Sequence, residues 1–176
     1  VEVKRQDLLI RAFAALQGQG KHASLRLLIV GDGEERTRLE KLAFSLGVGE
    51  RTIFAGYQAQ PENFFQAMDL FVLTSRHEGL PLALLEAWAS GLCVVSSSVG
   101  AIPQTVTGGV NGVLFPSGNR QALTDALARL LDDPELMGRL GRAGRARVGQ
   151  EYSLDQMAAA YERRYRSLVT SSLVTS

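Results

Sequence analysis

The chain has 176 residues, 45% of them apolar and 21% charged, with a formal net charge of +1. That length and balance suit one globular core of ordinary size, and the near-zero charge gives no electrostatic case for a nucleic-acid or strongly acidic partner. Cys93 stands alone, which excludes an intrachain disulfide and fits a reducing compartment, and no apolar run is long enough for a membrane-spanning helix.

Leu8, Leu9, Ala12, Phe13 and Leu16 recur at helical spacing and predict a helix that stops near Gly18 and Gly20. Leu25 to Val30, broken only by Arg26, predicts a strand. Glu34 to Leu46 reads as a helix, with Gly47 and Gly49 as stop signals. Thr52 to Phe54 is a short strand, and Pro61 to Ala67 a helix with proline in its first turn. Asp69 to Leu73 reads as a strand, Leu82 to Ala89 as a helix, Leu92 to Ser96 as a strand and Gly112 to Phe115 as the last strand. Helices are expected over residues 119–131, 134–149 and 154–168. Strands alternating with helices argue for an α/β domain whose parallel sheet is covered on both faces, a Rossmann-like doubly wound fold. Residues 1–166 are expected to form it. Beyond them Ser167–Ser171 is copied at once as Ser172–Ser176, which reads as a frayed or cloning-derived tail.

In doubly wound sheets ligands sit at the carboxyl ends of the strands. Gly31–Gly33, Gly56–Tyr57, Glu78–Gly79 and Ser97–Gly100 all fall there. The most telling stretch runs from Thr74 to Ala87, where an apolar strand opens into a Glu78–Gly79 loop and then a helix. Helix N-termini attract anions through free backbone N–H groups and the macrodipole. Gly79, Leu80 and Leu82 can offer such groups, whereas Pro81 cannot. Glu78 and Glu86 bracket this entry with seven residues between them. Carboxylates on either side of an anion site suit a phosphate flanked by polyol groups, as in a nucleotide sugar. Each residue also has a plainer reading. Glu78 can be an acid near a helix start. Glu86 can be an exposed helical glutamate, although its apolar neighbours Leu84, Leu85, Ala87 and Trp88 place it in a helix expected to be buried. Gly31–Asp32–Gly33 can be a tight turn, since Arg36 stands where a dinucleotide fingerprint has its third glycine. His77 invites a general-base reading but reads better as an ordinary loop residue. No group of Cys, His or Asp has metal-ligand spacing.

These segments together resemble the donor-binding, C-terminal half of retaining glycosyltransferases with the GT-B fold, of the family 4 or group 1 type. Glu78-x7-Glu86 resembles that family's paired glutamates. Leu27–Gly33 is similar to its strand ending in a glycine-rich loop, Ile53–Tyr57 to its "F-x-G" strand end, Ala87–Val95 to "A-x-A-x-G-x-P-V-V", and Asn111–Pro116 to "N-G-x-L-x-P". The resemblance runs in family order from Lys4 to Tyr165.

It implies transfer of a sugar from a nucleoside diphosphate sugar, UDP- or GDP-linked, to an acceptor hydroxyl with retention of configuration. By the same resemblance Glu78 contacts the donor sugar and Lys4 the diphosphate. Gly31 and Gly33 lie beside the phosphates or sugar, Tyr57 borders the base, Gly79, Leu80 and Leu82 line the helix entry, and Glu86 binds the ribose. No metal and no other cofactor is implied, and the acceptor hydroxyl would lose its proton to the leaving phosphate. The acceptor, a glycan, glycolipid or small molecule, would be held by a separate N-terminal domain, so this piece of a longer protein is expected to be inactive alone. A cytoplasmic location, including the cytoplasmic face of a membrane, is implied as well. The sequence departs from the family pattern at Gln104, where an acid is usual, at Cys93, which replaces proline and should pack as a small hydrophobe, and at Leu80–Pro81. The family's partner arginine to Lys4 would lie upstream of the sequence. A non-catalytic nucleotide-binding domain and another GT-B enzyme, such as a nucleotide-sugar epimerase, remain as alternatives.

Overall fold

The computed structural model describes residues 2–152, 156, 158 and 161–166. Five strands are present: β1 Leu27–Val30, β2 Thr52–Gly56, β3 Leu70–Leu73, β4 Cys93–Ser97 and β5 Val113–Phe115. The helices are α1 Gln6–Gly18, α2 Arg36–Ser45, α3 Glu62–Gln66, α4 Leu82–Ala89, α5 Ile102–Thr105, α6 Arg120–Asp132 and α7 Pro134–Glu151. The strand ladders are all parallel. β1 pairs with β2, Leu27 opposite Thr52, while β4 lies between β3 and β5, with Leu70 opposite Cys93 and Val95 opposite Val113. The α/β alternation and parallel direction are as the sequence predicts. The single sheet is not: the described strands form two ladders, β1–β2 and β3–β4–β5. Among the described residues no strand pairs with β1 and β3 on the edges that would join them.

One helix spans the break. Leu8, Ala12 and Leu16 of α1, four residues apart, share a core with Cys93 and Val95 of β4 and with α6 and α7. Ile10 and Phe13 lie on another face and pack with Leu27 and Ile29 of β1 and Leu39 and Ala43 of α2. A helix apolar on more than one face is buried on more than one face, and all five side chains are nearly or wholly inaccessible.

The C-terminal helices show how local sequence fixes the elements. Asn119 caps α6 by accepting from the Ala122 N–H at 3.0 Å, and Asp133 caps α7 by accepting from the Leu136 N–H at 2.9 Å, with Pro134 in the first turn. Leu123, Leu127 and Leu130 recur at helical spacing and are buried. α7 approaches α4 and β4 closely at Gly141 and Gly144. A Cβ on Gly141 would collide with the Gly91 carbonyl oxygen, and one on Gly144 with the Trp88 ring. Trp88 is fully buried and donates its Nε1–H to the Asn111 carbonyl at 2.9 Å.

Boundaries shift modestly from the sequence reading. The helix expected from Glu34 starts at Arg36, the strand from Thr52 continues to Gly56, and the strand from Leu92 runs instead from Cys93 to Ser97. α5, a single turn containing Pro103, carries no apolar period and was not expected. Of the helix expected over residues 154–168, the described residues 156, 158 and 161–166 are helical; the others, and the repeated tail 167–176, lie outside the described residues. Among the described residues no helix is long and apolar enough to cross a membrane.

Glycines on α7 should therefore divide by surroundings. Gly141→Ala is expected to destabilise the fold by about 1–3 kcal/mol through overpacking. Gly149→Ala, which meets nothing within 4 Å, should stabilise it by about 0.5–1 kcal/mol. Urea unfolding midpoints of the two variants measure this; equal midpoints would contradict the packing described.

Candidate functional site

Parallel strands deliver their carboxyl ends to one end of a sheet, and the residues after β3 and β4 meet there. Thr74 and Ser75 follow β3 and are buried, as are Ser96 and Ser97 at the end of β4. The Ser97 hydroxyl donates to the Ser75 carbonyl at 2.6 Å. The Ser75 hydroxyl donates to Glu78 Oε1 at 2.6 Å, and Lys4 Nζ donates to the same oxygen at 2.7 Å. Both bonds fall on Oε1, so Oε2 has no donor among the described residues. The Glu78 side chain is 9% exposed and that of Lys4 50%. Glu78 is thus not a helix-capping acid: its carboxylate is held by a serine and a lysine, and Pro81 occupies the cap of α4.

Lys4 reaches this point because the chain before α1 is pinned to the end of β3. The Thr74 hydroxyl lies 2.8 Å from the Lys4 carbonyl and 2.9 Å from that of Arg5, donating to them, and the Arg76 N–H donates to the Val3 carbonyl at 2.8 Å. Arg5 itself takes a left-handed conformation, φ 51°, uncommon for a residue with a Cβ. Its guanidinium donates to Asp7 at 2.9 Å. Burial works to raise the Asp7 carboxyl, but the Arg5 hydrogen bond and charge outweigh it and hold it below the ordinary value. The loop after β4 touches the site as well. Gly100, φ 54°, lies so close to the Glu78 carbonyl that a Cβ there would collide with it.

The entry to α4 is open. Pro81 has no capping side chain to satisfy the first turn, and Leu80 and Leu82 are 44% and 69% exposed. The N–H groups of Leu82 and Ala83 therefore face no capping acceptor. Glu86 lies one turn further and is exposed, and its carboxylate makes no hydrogen bond or ion pair with the described residues. This corrects the expectation that Glu86 sits in a buried setting. Leu84, Ala87 and Trp88 point into the core, and Glu86 takes the solvent side of the same helix, so a buried charge is no argument for a ligand there. Its open carboxylate remains usable by one.

The remaining predicted residues gather on the other sheet. Gly31, φ 119°, follows β1 and donates its N–H to the Gly56 carbonyl at 2.8 Å, Asp32 accepts from the Gly33 N–H at 2.8 Å, and Tyr57 is 79% exposed. Arg36 braces this end by donating to the Phe54 carbonyl at 3.3 Å. Lys4 and Glu78 are joined directly; no described hydrogen bond links Gly31, Gly33 or Tyr57 to them. His77 is exposed in the loop, and burial pushes the Cys93 thiol up to about 12, as suits a packed, unreactive side chain. Gln104 is exposed, and its carbonyl accepts from Arg147 at 3.3 Å. Asn111 is buried and organises its own loop, accepting from the Thr107 N–H at 2.7 Å. No group of three or more His, Cys, Asp or Glu among the described residues could hold a metal ion. Two of the surface hollows lie elsewhere: one of about 780 Å³ lies against α2 and β2, lined by residues that include Arg36, Phe44 and Phe54. The other, of about 350 Å³, is lined by Arg5, Asp7, Glu35, Arg38 and Arg76. The Glu78–Glu86 shelf belongs to neither.

Ser97–Gly100 falls at the strand ends as the sequence indicates, but the bonds from Ser97 to Ser75 and from Ser75 to Glu78, and the close approach of Gly100, were not anticipated. Hydroxyls at the ends of two adjacent apolar strands were the available signal. The bonds to Glu78 should differ in weight. Ser75→Ala removes a nearly buried hydrogen bond to a charged group and should cost about 1.5–3 kcal/mol of stability. Lys4→Met breaks a half-exposed ion pair and should cost less than about 1 kcal/mol. Chemical denaturation of both variants checks the order, and a larger loss for Lys4→Met would reverse it.

Comparison with known proteins bears on this site. Residues 1–147 match the family described as Glycosyl transferases group 1. The chain is 36% identical over 161 residues to a lipopolysaccharide core biosynthesis glycosyltransferase, LpsE, of Rhizobium meliloti, covering 92% of this chain and 46% of that protein. It is 31% identical to N-acetyl-alpha-D-glucosaminyl L-malate synthase of Bacillus anthracis, covering 93% and 42%. Anabaena Alr3699/HepE, solved in complex with UDP, superposes with a TM-score of 0.87 at 25% identity over 95% of this chain and 46% of that one. The C-terminal domain of a group 1 glycosyl transferase from Francisella tularensis superposes with a TM-score of 0.78 at 25% identity, covering 88% and 82%. The chain therefore spans about half the length of the curated relatives it matches. Its Rossmann-like fold is that of GT-B C-terminal domains, and the chain belongs to the glycosyl transferases group 1 family.

Proposed function

We propose that this chain is the donor-binding half of an enzyme that moves a sugar from a nucleoside diphosphate sugar to an acceptor hydroxyl with retention of configuration. The observation that carries the reading is the Glu78 carboxylate. One of its oxygens is held by Ser75 and Lys4 and the other is open, beside an uncapped helix entry and the open carboxylate of Glu86. In this reading Glu78 accepts hydrogen bonds from donor sugar hydroxyls. The N–H groups of Gly79, Leu80 and Leu82, with the α4 dipole, receive the diphosphate, and Lys4 adds a cation. Glu86 accepts from the ribose hydroxyls. Gly31 and Gly33 allow close approach beside the phosphates or sugar, and Tyr57 borders the base.

The chemistry asks for charge stabilisation. As the bond from the anomeric carbon to the diphosphate breaks, negative charge builds on the departing oxygen. Preoriented N–H groups and Lys4 lower that barrier because they need no reorganisation. The acceptor oxygen bonds the anomeric carbon from the same face, and its proton passes to the departing phosphate. No metal or further cofactor enters this scheme. The donor is UDP- or GDP-linked: the Anabaena protein was solved with UDP and with UDP-glucose, whereas a Mycolicibacterium smegmatis relative, 36% identical over 151 residues, is a GDP-mannose-dependent mannosyltransferase. The acceptor would be held by the other half of the protein, and a cytoplasmic site of action, including the face of a membrane, fits such substrates.

Kinetics of the full-length protein separate the roles. Glu86→Ala removes ribose contacts made equally in ground and transition states. A loss of about 1.5–3 kcal/mol should raise the donor KM roughly ten- to 150-fold with kcat little changed. Glu78→Ala should instead lower kcat, since its contacts lie beside the reacting carbon. The reverse pattern would overturn the assignment. Activity should also persist in excess EDTA; loss that magnesium or manganese restores would mean that the helix entry and Lys4 do not suffice.

A further inference from the structure

The face formed by α2 and β2 exposes an aromatic side chain beside a hollow. Phe44 of α2 is 83% exposed, and the hollow of about 780 Å³ has Ala43, Phe44 and Phe54 among its walls. Gly49 lines it too, and a Cβ there would stand 3.3 Å from the Phe44 Cα, so the chain after α2 passes close beneath the ring. β2 pairs with β1 on one edge and with no described strand on the other. Its residues, Thr52 to Gly56, include no charge and no proline, two of the devices that guard an edge strand against association. Solitary exposed apolar side chains are ordinary. A large ring beside an apolar hollow is different, because one surface then offers both knob and hole. Aromatic side chains seated in pockets are the usual energetic centre of a protein interface.

The charges around the hollow point to its occupant. Arg36 and Glu40 line it and already pair with each other at 2.8 Å. Lys41 lines it as well, is exposed, and its ammonium makes no hydrogen bond or ion pair with the described residues. Glu50 is exposed next to Gly49, and its carboxylate is likewise without a partner among the described residues. An unpaired cation and an unpaired acid therefore accompany one apolar hollow. A partner bearing a single sign of charge would satisfy one of them and oppose the other. A second copy turned about a two-fold axis satisfies both, because such a contact sets residue i against residue j and j against i. Lys41 of each copy then meets the Glu50 carboxylate of the other, and each Phe44 enters the opposite hollow.

We infer that the α2–β2 face is a two-fold interface between two copies of this protein, with Phe44 seated in the partner's hollow and Lys41 and Glu50 paired across the axis. A phenylalanine ring can bury about 150–250 Å². Two such rings with their flanking groups make a contact below the standard interface size of about 1,600 Å², so the dimer is reversible rather than permanent. The shelf from Glu78 to Glu86 follows β3, on the other ladder, and each copy keeps its own site open.

The test follows association of the full-length protein by sedimentation across a concentration series. The parent should pass from monomer to dimer in the micromolar range. Phe44→Ser should weaken the dimer at least about tenfold. Lys41→Glu and Glu50→Lys, each acting twice by symmetry, should each weaken it about two- to tenfold. The double variant K41E/E50K should return to within about twofold of the parent, because the exchanged charges again face each other. The three side chains are exposed, so every variant should melt with the parent. A parent that stays monomeric at all concentrations would overturn the inference, including the case in which another part of the full-length protein or a different partner covers this face. A dimer indifferent to Phe44→Ser would overturn it as well, since another surface would then hold it. A double variant weaker than either single one would separate Lys41 from Glu50 and overturn the two-fold pairing. None of these outcomes depends on what the site binds.

Discussion

Two ladders that share no backbone hydrogen bond among the described residues are held in one domain by the burial of α1 on both sides. Leu8, Ala12 and Leu16 enter one core and Ile10 and Phe13 the other. Burying a side chain of this size contributes about 1.5–3 kcal/mol, so the helix supplies adhesion that the interrupted ladder does not. Its position has a chemical consequence. The residues that lead into α1 are Lys4 and Arg5, and the helix fixes them against the end of β3. A shift of α1 would carry the Lys4 ammonium away from Glu78.

The site follows from this placement together with the parallel direction of the strands. β3 and β4 end side by side, so Ser75 and Ser97 lie within hydrogen-bond reach, and the Ser75 hydroxyl sets Glu78. Gly100 then allows the loop after β4 to press on the Glu78 backbone without a side chain in the way. Two hydrogen bonds, from Ser75 and Lys4, hold one carboxylate oxygen and leave the other open. Holding a reactive group by buried partners before the ligand arrives is what preorganisation requires.

Much of this was legible in the sequence, for identifiable reasons. Apolar runs such as Leu27–Val30 and Cys93–Val95 have only one stable use in a chain that alternates with amphipathic helices, and α6 announces itself through Asn119 and the Leu123, Leu127, Leu130 spacing. Glu78 and the α4 entry were visible because polar residues interrupt apolar elements there. Other features are long-range and leave no local mark. The Lys4–Glu78 bond joins residues 74 positions apart, and neither residue's neighbours encode the other. The exposure of Glu86 was misread because its flanking residues are apolar; helical phase, rather than neighbouring composition, decides which way it faces. The split of the sheet was likewise hidden, since each strand looks complete by itself.

The central claim is that the shelf from Glu78 to Glu86 is where a nucleoside diphosphate sits. Titrating the ¹⁵N-labelled chain with UDP and with GDP, and following its amide resonances, addresses this directly. The account predicts that the amides of Gly79, Leu80, Leu82, Ala83 and Glu86 shift together and saturably with at least one of the two. Shifts confined to the hollow around Arg36, Phe44 and Phe54, or none from folded protein at millimolar nucleotide, would contradict it.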